Sequence, residues 1–535
     1  MSTAGKPGVN FPLNDEGKRP TSTLNKQIIA EAMGAMDAKA KEMVLKTPDW
    51  RHRYADQLIR MVEMGCASEK AALDQAKAGI EYMHKTFTYI KDGNEIPFDE
   101  AMIAIKDLGD YKYTGVIKGT GAPVDEYTIP YKNKKLTGEA LVRQVDKWVA
   151  AGTIEPSAGE GIKAMAEKPE LLANLKNRRF VLLGAGSAMG PFLTLMALGA
   201  HVVAIDIDRK PVWQRLIKVA RESAGTITFP LKKPMDQLKD DEEIAENAGC
   251  DLMGATPHIA NWLCSLDDST PFTIGVYVYL DGFLHVLLSI ASDAIIKAMC
   301  AKYASNPRMV SLGYLCTPTD VHVVPAEAAQ ESRQHYSAVT LDKVWESGIH
   351  MLSGGKFLQK NTRPAIKDEK GNELHIMDEL SIAQGPNYAL AKRLQHWRAM
   401  VARSEGHPVS SNIAPSTATV SVIHAKTFAW AYGGMPHFKP IEIFEPATSN
   451  AVMCALLLSD VMTDDTIANP ERQLANPQQL FSEGAFHGGL WRTAYKLDSI
   501  AETSVLIYWM DRLKYVLYAI LLILIIVVKK LVLKK

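Results

Sequence analysis

Apolar residues recur at steps of three and four along the first third of the chain, which is the spacing of an amphipathic helix. The pattern is clearest over residues 54–64 and 68–85. Thr137 precedes a third such stretch and Gly152 follows it, and these residue types favour a helix start and a helix stop. A mainly helical N-terminal domain is therefore predicted over residues 24–176.

The two ends of the chain depart from this pattern. Residues 1–23 are polar and contain three prolines, so a disordered arm without a secretory signal is expected there. Residues 515–528 read YVLYAILLILIIVV, without a charge, and basic residues stand on both sides. Fourteen helical residues cover about 21 Å, and flanking lysines can extend the reach toward a ~30 Å hydrocarbon core. A transmembrane helix is predicted over 513–533, within an anchor segment 501–535.

A buried terminal helix and a helix lying flat on the bilayer are the alternatives for this tail. Basic residues directly on both sides argue against the first, and the absence of a polar face argues against the second. The short span favours a thin membrane such as the endoplasmic reticulum, with the bulk of the chain in the cytosol. The mitochondrial outer membrane is the alternative location.

From residue 177 onward, short apolar runs alternate with helical stretches. The runs occupy residues 180–183, 201–205, 273–279 and 309–315. This alternation is typical of an α/β fold with a doubly wound parallel sheet, whose ligands bind at the carboxyl ends of the strands. A Rossmann-type domain is predicted over 177–500, with an insertion at about 321–384.

A glycine-rich turn joins the first two predicted strands. It contains Gly184, Gly186, Ser187, Met189 and Gly190. Glycines let the backbone approach a pyrophosphate, and an apolar helix at 192–198 would present free N–H groups to it. Asp206 ends the second strand, where an acid can accept both ribose hydroxyls, so NAD is favoured. Arg209 and Lys210 follow closely and could hold a 2′-phosphate, so NADP is the alternative.

Further motifs follow in the second half of the chain. Tyr388 and Lys392 are four residues apart and share one face of a predicted helix. A strand then runs into a turn at Pro415, Ser416 and Thr417, an apolar helix ends in Leu-Ser-Asp460, and a double glycine stands at 488–489. In this order, the motifs of residues 178–495 resemble a divergent member of the short-chain dehydrogenase/reductase family.

The resemblance implies a nicotinamide dinucleotide and a proton-transfer pair. Tyr388 would exchange a proton with a substrate oxygen, and Lys392 would lower the pKa of the phenol and hold the nicotinamide ribose. Asp281, Gly282, Pro415 and Thr417 would complete the cofactor contacts of the glycine turn and Asp206. The last helix and the double glycine would match the family's final helix and strand.

The chain departs from the family's pattern at several positions. Leu183 and Ala188 replace a threonine and a glycine of the turn, and Asp281-Gly282 replaces an Asn-Ala-Gly motif. His375 stands at the spacing of the family's serine, so Thr317, at the end of a predicted strand, is the candidate for the missing hydroxyl. The family's helix asparagine is also missing, and His285 lies near its place.

Composition narrows the class of protein further. The apolar fraction is 47% and the formal net charge is zero, which gives no reason to expect nucleic acid as a partner. Six scattered cysteines make no Cys-x-x-Cys pair, so neither a disulfide framework nor a zinc ribbon is expected. No metal site is predicted.

The sequence thus predicts an NAD(P)-dependent oxidoreductase of lipid metabolism that interconverts a ketone and an alcohol. The membrane tail suggests a fatty-acyl, sterol or isoprenoid-like substrate, and the aromatic stretch at 427–438 is the expected substrate wall. The alternatives are an enoyl-thioester reductase and a non-catalytic, nucleotide-binding membrane scaffold. A homodimer or homotetramer would follow the family's habit.

Overall fold

The structure is a computed structural model of the 535-residue chain. It describes residues 6–532 except 268, 339 and 340, and it does not describe the side chains of 341–343, 421 and 515–532. All statements below refer to this described part of the chain.

The first 177 residues carry helices and short strands. These are β1 (Gly8–Asn10), α1 (Thr21–Gly34), α2 (Ala38–Lys46), α3 (Trp50–Gly65), α4 (Glu69–Thr86), β2 (Thr88–Lys91), β3 (Asn94–Pro97), α5 (Phe98–Ala104), β4 (Tyr113–Lys118), β5 (Ile129–Tyr131), β6 (Lys134–Leu136), α6 (Gly138–Ala150), α7 (Pro156–Glu167) and α8 (Pro169–Ala173).

Strands and helices then alternate. The elements are β7 (Arg179–Leu183), α9 (Phe192–Ala197), β8 (His201–Ile205), α10 (Lys210–Glu222), β9 (Thr226–Leu231), α11 (Asp241–Asn247), α12 (Thr256–Ser265), β10 (Phe272–Val276), α13 (Phe283–Lys302) and β11 (Val310–Cys316).

The remaining elements include the predicted insertion. They are β12 (Val321–Val324), α14 (Ala326–Ser337), α15 (Leu341–Leu352), β13 (Ile366–Lys367), β14 (Glu373–Asp378), α16 (Pro386–Ser404), β15 (Val409–Ile413), α17 (Val420–Ile423), α18 (Lys426–Gly434), α19 (Pro446–Met462) and α20 (Leu497–Val532).

The largest sheet of the described chain has seven strands in the order β15-β11-β10-β7-β8-β9-β4. The first six pair in parallel, and β4 pairs with β9 in the antiparallel sense. Counted from β7, the six parallel strands therefore lie in the order 6-5-4-1-2-3, and the direction of winding reverses between β7 and β10. The prediction of an α/β fold with a mostly parallel sheet is confirmed.

Both faces of the sheet are covered by helices. Val181 and Leu183 of β7 belong to one buried core with residues of α13 and α16, while Phe180 and Leu182 belong to another with residues of α10 and α19. Successive residues of a strand point to opposite faces, so a strand buried on both sides is apolar throughout. For this reason the apolar runs in the sequence predicted the positions of the strands.

The predicted N-terminal helical domain is not a separate body. It is mainly helical, but it also supplies β4 to the central sheet, and residues of α1, α3 and α4 share a core with β7 and α16. Helix α4 lies so close to α16 that a Cβ on Gly79 would be 2.4 Å from the ring of Trp397. The predicted boundary at 176–177 therefore divides one continuous core.

The expectation of a disordered arm is wrong from Lys6 onward, whereas residues 1–5 lie outside the described chain. Strand β1 pairs with β2, and Phe11 is buried against Phe87, with ring centroids 4.9 Å apart. Arg19 ties this segment down with an ion pair of 2.8 Å to Glu95. This polar and proline-containing segment packs against the rest of the protein because it carries one paired strand and one large buried aromatic ring.

Helix α20 contains the predicted membrane anchor. Its backbone is helical to Val532, but the side chains from 515 onward and the whole of 533–535 lie outside the description. Among the described residues, one helix is long and apolar enough to cross a membrane, and this is α13. Since 78% of its apolar window is buried within the protein, α13 is a core helix by its packing. The anchor at 513–533 therefore stays a prediction.

Candidate functional site

The glycine turn follows directly on β7, at the carboxyl edge of the sheet. Gly184 has a φ of +88°, and a Cβ there would lie 2.9 Å from the backbone nitrogen of Val278, so this position requires glycine. The N–H of Ser187 donates to the Gly184 carbonyl (3.0 Å) and the N–H of Gly190 donates to that of Ser187 (3.1 Å). Ser187 and Met189 are half-buried. Helix α9 begins only at Phe192 and has six residues, fewer than predicted.

Asp206 lies at the end of β8, as expected, and it is tied to the glycine turn. Its Oδ2 accepts the Gly186 N–H at 2.6 Å and its Oδ1 accepts the Ile207 N–H at 2.8 Å. Burial raises the pKa of this carboxyl, while the two N–H bonds act in the opposite direction. Arg215 donates to the Gly186 carbonyl at 2.6 Å, so the turn is held on both sides of Gly186. A carboxylate has about four acceptor positions, so further donors can still be bound.

Two contacts around the turn were not expected from the sequence. Asn450 of α19 donates its amide to the carbonyl of Gly190 and accepts from the Thr194 hydroxyl at 3.3 Å. The ammonium of Lys210 forms ion pairs with Glu242 and Glu246, at 2.5 and 2.7 Å. Lys210 is therefore engaged and does not face the turn as a free cation, which weakens the alternative of a 2′-phosphate site.

Asp281 and Gly282 follow β10 on the same edge of the sheet. Both are exposed, and the carboxylate of Asp281 accepts a hydrogen bond from the Tyr279 hydroxyl at 2.8 Å. Gly282 has a φ of +64° and precedes the first residue of α13. These residues lie next to the glycine turn because β10 pairs with β7.

Tyr388, Lys392 and Thr317 meet at the carboxyl end of β11. Tyr388 and Lys392 lie one turn apart on α16, and the Lys392 ammonium is 5.9 Å from the centre of the Tyr388 ring. Lys392 donates to the Leu315 carbonyl at 3.0 Å and to Gln395 at 3.2 Å. Thr317 follows β11 directly, and its hydroxyl shares a hydrogen bond with the Thr319 hydroxyl at 2.7 Å. The Thr317 side chain also acts to lower the pKa of Tyr388. By contrast, His375 lies in β14 beside Arg333.

Burial dominates the electrostatics of this group. It outweighs the effect of Thr317 and raises the pKa of Tyr388 to about 12. Burial also lowers the pKa of Lys392. In this environment Tyr388 is a proton donor at neutral pH, because the neutral phenol is the favoured form.

His285 completes the group from α13. Its ring lies parallel to that of Tyr388, within 17° and at 5.4 Å between centroids, and neither of its nitrogens has a hydrogen-bond partner among the described residues. Burial and the charge of Lys392 lower the pKa of His285 to about 3. The ring is thus a neutral, polar plane beside the phenol.

The turn after β15 approaches the same place. Ala414 donates to the Cys316 carbonyl at 2.9 Å, which puts Pro415 and Thr417 beside the end of β11. Both are buried, and the Thr417 hydroxyl donates to the Pro415 carbonyl at 2.9 Å and contacts Ser449 at 2.7 Å. The Thr417 hydroxyl therefore shapes the turn.

The expectation of a final strand at the double glycine is wrong. Residues 485–489 form no strand in the described structure, although Phe486 donates to the Ile413 carbonyl at 2.9 Å. A Cβ on Gly489 would lie 2.3 Å from the Pro440 carbonyl oxygen. The double glycine therefore allows two loops to pass close to each other.

The predicted substrate wall at 427–438 forms α18 and the turn after it. Trp430 contacts Trp509 of α20 edge to face, at 5.1 Å between centroids. Tyr432 is half-buried, and burial raises its pKa. The wall thus extends from the candidate site to the helix that carries the predicted anchor.

The fold and the site together define an α/β protein with a glycine turn and a Tyr–Lys–Thr group on one edge of its sheet. No protein-family model matches the chain, and no curated protein matches it at the level required for significance. The function therefore has to be argued from the arrangement of these residues.

Proposed function

We propose that this chain is an NAD(P)-dependent oxidoreductase of the short-chain dehydrogenase type that interconverts a ketone and an alcohol. The observation that carries the proposal is the shared location of two groups. The glycine turn follows β7, and Tyr388, Lys392 and Thr317 lie at the end of β11, two strands away across β10. A strand order that reverses between β7 and β10 supports a Rossmann-type sheet, in which dinucleotides bind at such a reversal.

The residues around the turn suit a dinucleotide. Apart from Ser187 and Met189, residues 184–190 are glycine or alanine, so few side chains stand between this backbone and a ligand. Asp206 has acceptor positions left for ribose hydroxyls. Lys210 is already paired with two glutamates, and Asp206 supports NAD. Arg209 is exposed and keeps NADP as the alternative. A bound nicotinamide cofactor would supply or accept the hydride.

Proton transfer is assigned to this chain's own side chains. Tyr388 would donate its phenolic proton to the substrate oxygen during reduction, and Thr317 would hold that oxygen within reach of the phenol. The half-buried ammonium of Lys392 would stabilise the phenolate left behind, since an opposite charge nearby favours the ionised form. The hydroxyl of Thr317 takes the place of the family's serine.

A lipophilic substrate is supported by the surface beside the site. Large apolar side chains are exposed on α17, α18 and the first part of α20: Val420, Ile423, Phe428, Leu506, Trp509, Met510 and Leu513. These helices are neighbours, and exposed apolar side chains grouped on neighbouring elements are typical of a binding site for a partner or a membrane. It adjoins the wall that contains Trp430 and leads into the predicted anchor, so we propose that substrate reaches Tyr388 from a bilayer.

Cofactor binding tests the first part of the proposal. The full chain in detergent micelles is titrated with NADH and NADPH while nicotinamide fluorescence is followed. Asp206→Ala is expected to weaken NADH binding at least tenfold, whereas Asp208→Ala, whose carboxylate pairs with Lys232, leaves it unchanged. A folded protein that binds neither nucleotide would overturn the oxidoreductase and leave a scaffold.

Turnover tests the second part. Oxidation of NADH is measured with a panel of long-chain and sterol ketones in mixed micelles. Tyr388→Phe is expected to abolish turnover and keep NADH binding, while Tyr303→Phe, a buried tyrosine away from the site whose hydroxyl has no partner among the described residues, keeps both. Loss of a C=C bond in the product would instead identify an enoyl-thioester reductase.

A further inference from the structure

A second group of side chains, which could ligate a metal ion, lies next to Tyr388 and Lys392. Asp320, His322 and His396 each offer one ligand atom, and these three atoms lie within 4.8 Å of one another. All three residues are almost fully buried, with 3%, 1% and 1% of their surface exposed. We propose that the Asp320–His322–His396 trio binds a divalent transition-metal ion, with Zn²⁺ as the best match.

The atoms of the trio are left without partners by the protein. Both nitrogens of His322, both nitrogens of His396 and Oδ2 of Asp320 have no hydrogen-bond partner among the described residues. A buried polar atom without a hydrogen-bond partner destabilises the folded state, so five such atoms in one place strongly favour a ligand at this point. The free Asp320 oxygen is 3.9 Å from Nδ1 of His396, so it points toward the rings.

The chemistry of the donors matches a first-row metal. Two neutral imidazoles and one carboxylate bind Zn²⁺ and Fe²⁺, and a metal at about 2.0–2.1 Å from each ligand brings the ligand atoms to about 3.4 Å of one another. The ligand atoms of the trio lie within 4.8 Å of one another, so an ion would draw them together by up to about 1.4 Å.

The other oxygen of Asp320 is held in place. Its Oδ1 accepts the Val321 N–H at 2.7 Å and the guanidinium of Arg393 at 2.5 Å, which leaves Oδ2 for the ion. A ligating carboxylate is commonly oriented by such hydrogen bonds. Phe481 stacks on His396 at 4.2 Å and closes one side of the site with an apolar ring.

The place of the trio in the fold suggests what the ion does. Tyr388, Lys392 and His396 follow each other at four-residue steps on one face of α16. Thr317 and Asp320 belong to the same short turn between β11 and β12. An ion bound by the trio would therefore cross-link α16 to that turn and fix the position of Tyr388 relative to Thr317. The role of the ion rests on the proposed function, whereas its binding does not.

The test uses the full chain in detergent, freed of metal with a chelator. CoCl₂ is added, and the visible absorption of Co²⁺ bound to nitrogen and oxygen ligands is followed, then ZnCl₂ is used in competition. One equivalent of Co²⁺ per chain is expected, displaced by Zn²⁺, together with a higher Tm. The double variant His322→Phe/His396→Leu is expected to lose this absorption and the rise in Tm.

A matched control separates the trio from buried histidines in general. His487 is fully buried and hydrogen-bonds Glu155 at 2.9 Å, so His487→Gln should keep one equivalent of Co²⁺. The proposal is overturned if the folded wild-type chain binds no stoichiometric Co²⁺, a result that does not depend on whether any variant folds. The proposal is also overturned if the double variant binds Co²⁺ as the wild type does. A third contradicting result is a double variant that is more stable than the wild type while Zn²⁺ leaves the wild-type Tm unchanged, since the trio is then an ordinary buried polar cluster. Because NADH binding is measured separately, a failure of the metal site leaves the oxidoreductase proposal standing.

Discussion

The imidazole of His285 lies flat against the phenol ring of Tyr388, 5.4 Å away between centroids. Burial and Lys392 lower the pKa of His285 to about 3, so it stays neutral throughout the range in which enzymes work. We expect His285→Phe, which keeps a flat ring, to reduce kcat less than tenfold, and His285→Ala to reduce it more, because the phenol loses the plane that positions it. Steady-state kinetics on both variants checks this, and an equal loss in the two would contradict a positioning role.

The pH dependence of the two reaction directions should differ. Since the pKa of Tyr388 is raised to about 12, the phenol keeps its proton at every pH from 6 to 9. Ketone reduction, which uses that proton, is expected to be independent of pH across this range. Alcohol oxidation needs the phenolate, so its rate should rise about tenfold per pH unit, in proportion to the ionised fraction. A plateau in the oxidation rate near pH 7 would show that the bound cofactor lowers the phenol pKa.

A stability prediction follows from Asp460 of α19. Its Oδ2 accepts hydrogen bonds from Ser410 and Asn412, both at 2.7 Å, and burial raises the pKa of the carboxyl to about 6. The unfolded value is about 3.9, so the folded state favours the protonated form. The stabilisation is complete below pH 4 and is lost as the pH rises through 6.

Asp460→Asn is therefore expected to raise the Tm relative to the wild type at pH 8 and to change it little at pH 4.5. Two pKa units correspond to a difference of about 3 kcal/mol. Asp236→Asn, at an exposed position, serves as the control and should show no such pH dependence. Thermal melts at the two pH values measure the effect, and a lower Tm of Asp460→Asn at pH 8 would contradict it.

The contact between α18 and α20 depends on the absence of side chains at Gly433 and Gly434. A Cβ on Gly434 would lie 1.9 Å from the Ser504 carbonyl oxygen, so Gly434→Ala forces the two helices apart. We expect a loss of about 1–3 kcal/mol in stability and faster proteolysis of α18. Gly348→Ala, in the interior of α15 with open space around it, is the control and should be neutral or slightly stabilising.

The apolar runs of the sequence were sufficient to predict β7 and β8, since strands buried on both faces are apolar throughout. Strand β9 has the mixed sequence TITFPL and was not predicted. Strand β4 gave no sign that it joins the sheet, because its partner lies more than a hundred residues away. Local patterns predict elements, while pairing over such distances depends on the whole fold.

The same limit applies to the site. The shared face of Tyr388 and Lys392 follows from the helical period, and Thr317 was found because it ends a strand. In contrast, Asn450 reaches the glycine turn from α19, and His396 joins Asp320 and His322 from more than seventy residues away. The Asp-x-His spacing of Asp320 and His322 was the one local signal of the trio.

The antiparallel strand β4 also has a consequence for how the chain is made. Its residues leave the ribosome well before β9, and at about 5–20 residues per second the wait lasts roughly 5–25 s. In that interval the strand has no edge to join. Conversely, a recombinant fragment that begins at residue 177 would leave the outer edge of β9 open, with unpaired N–H and C=O groups that invite self-association. The N-terminal third thus covers the β9 edge of the sheet, and a fragment without it is expected to self-associate through that edge.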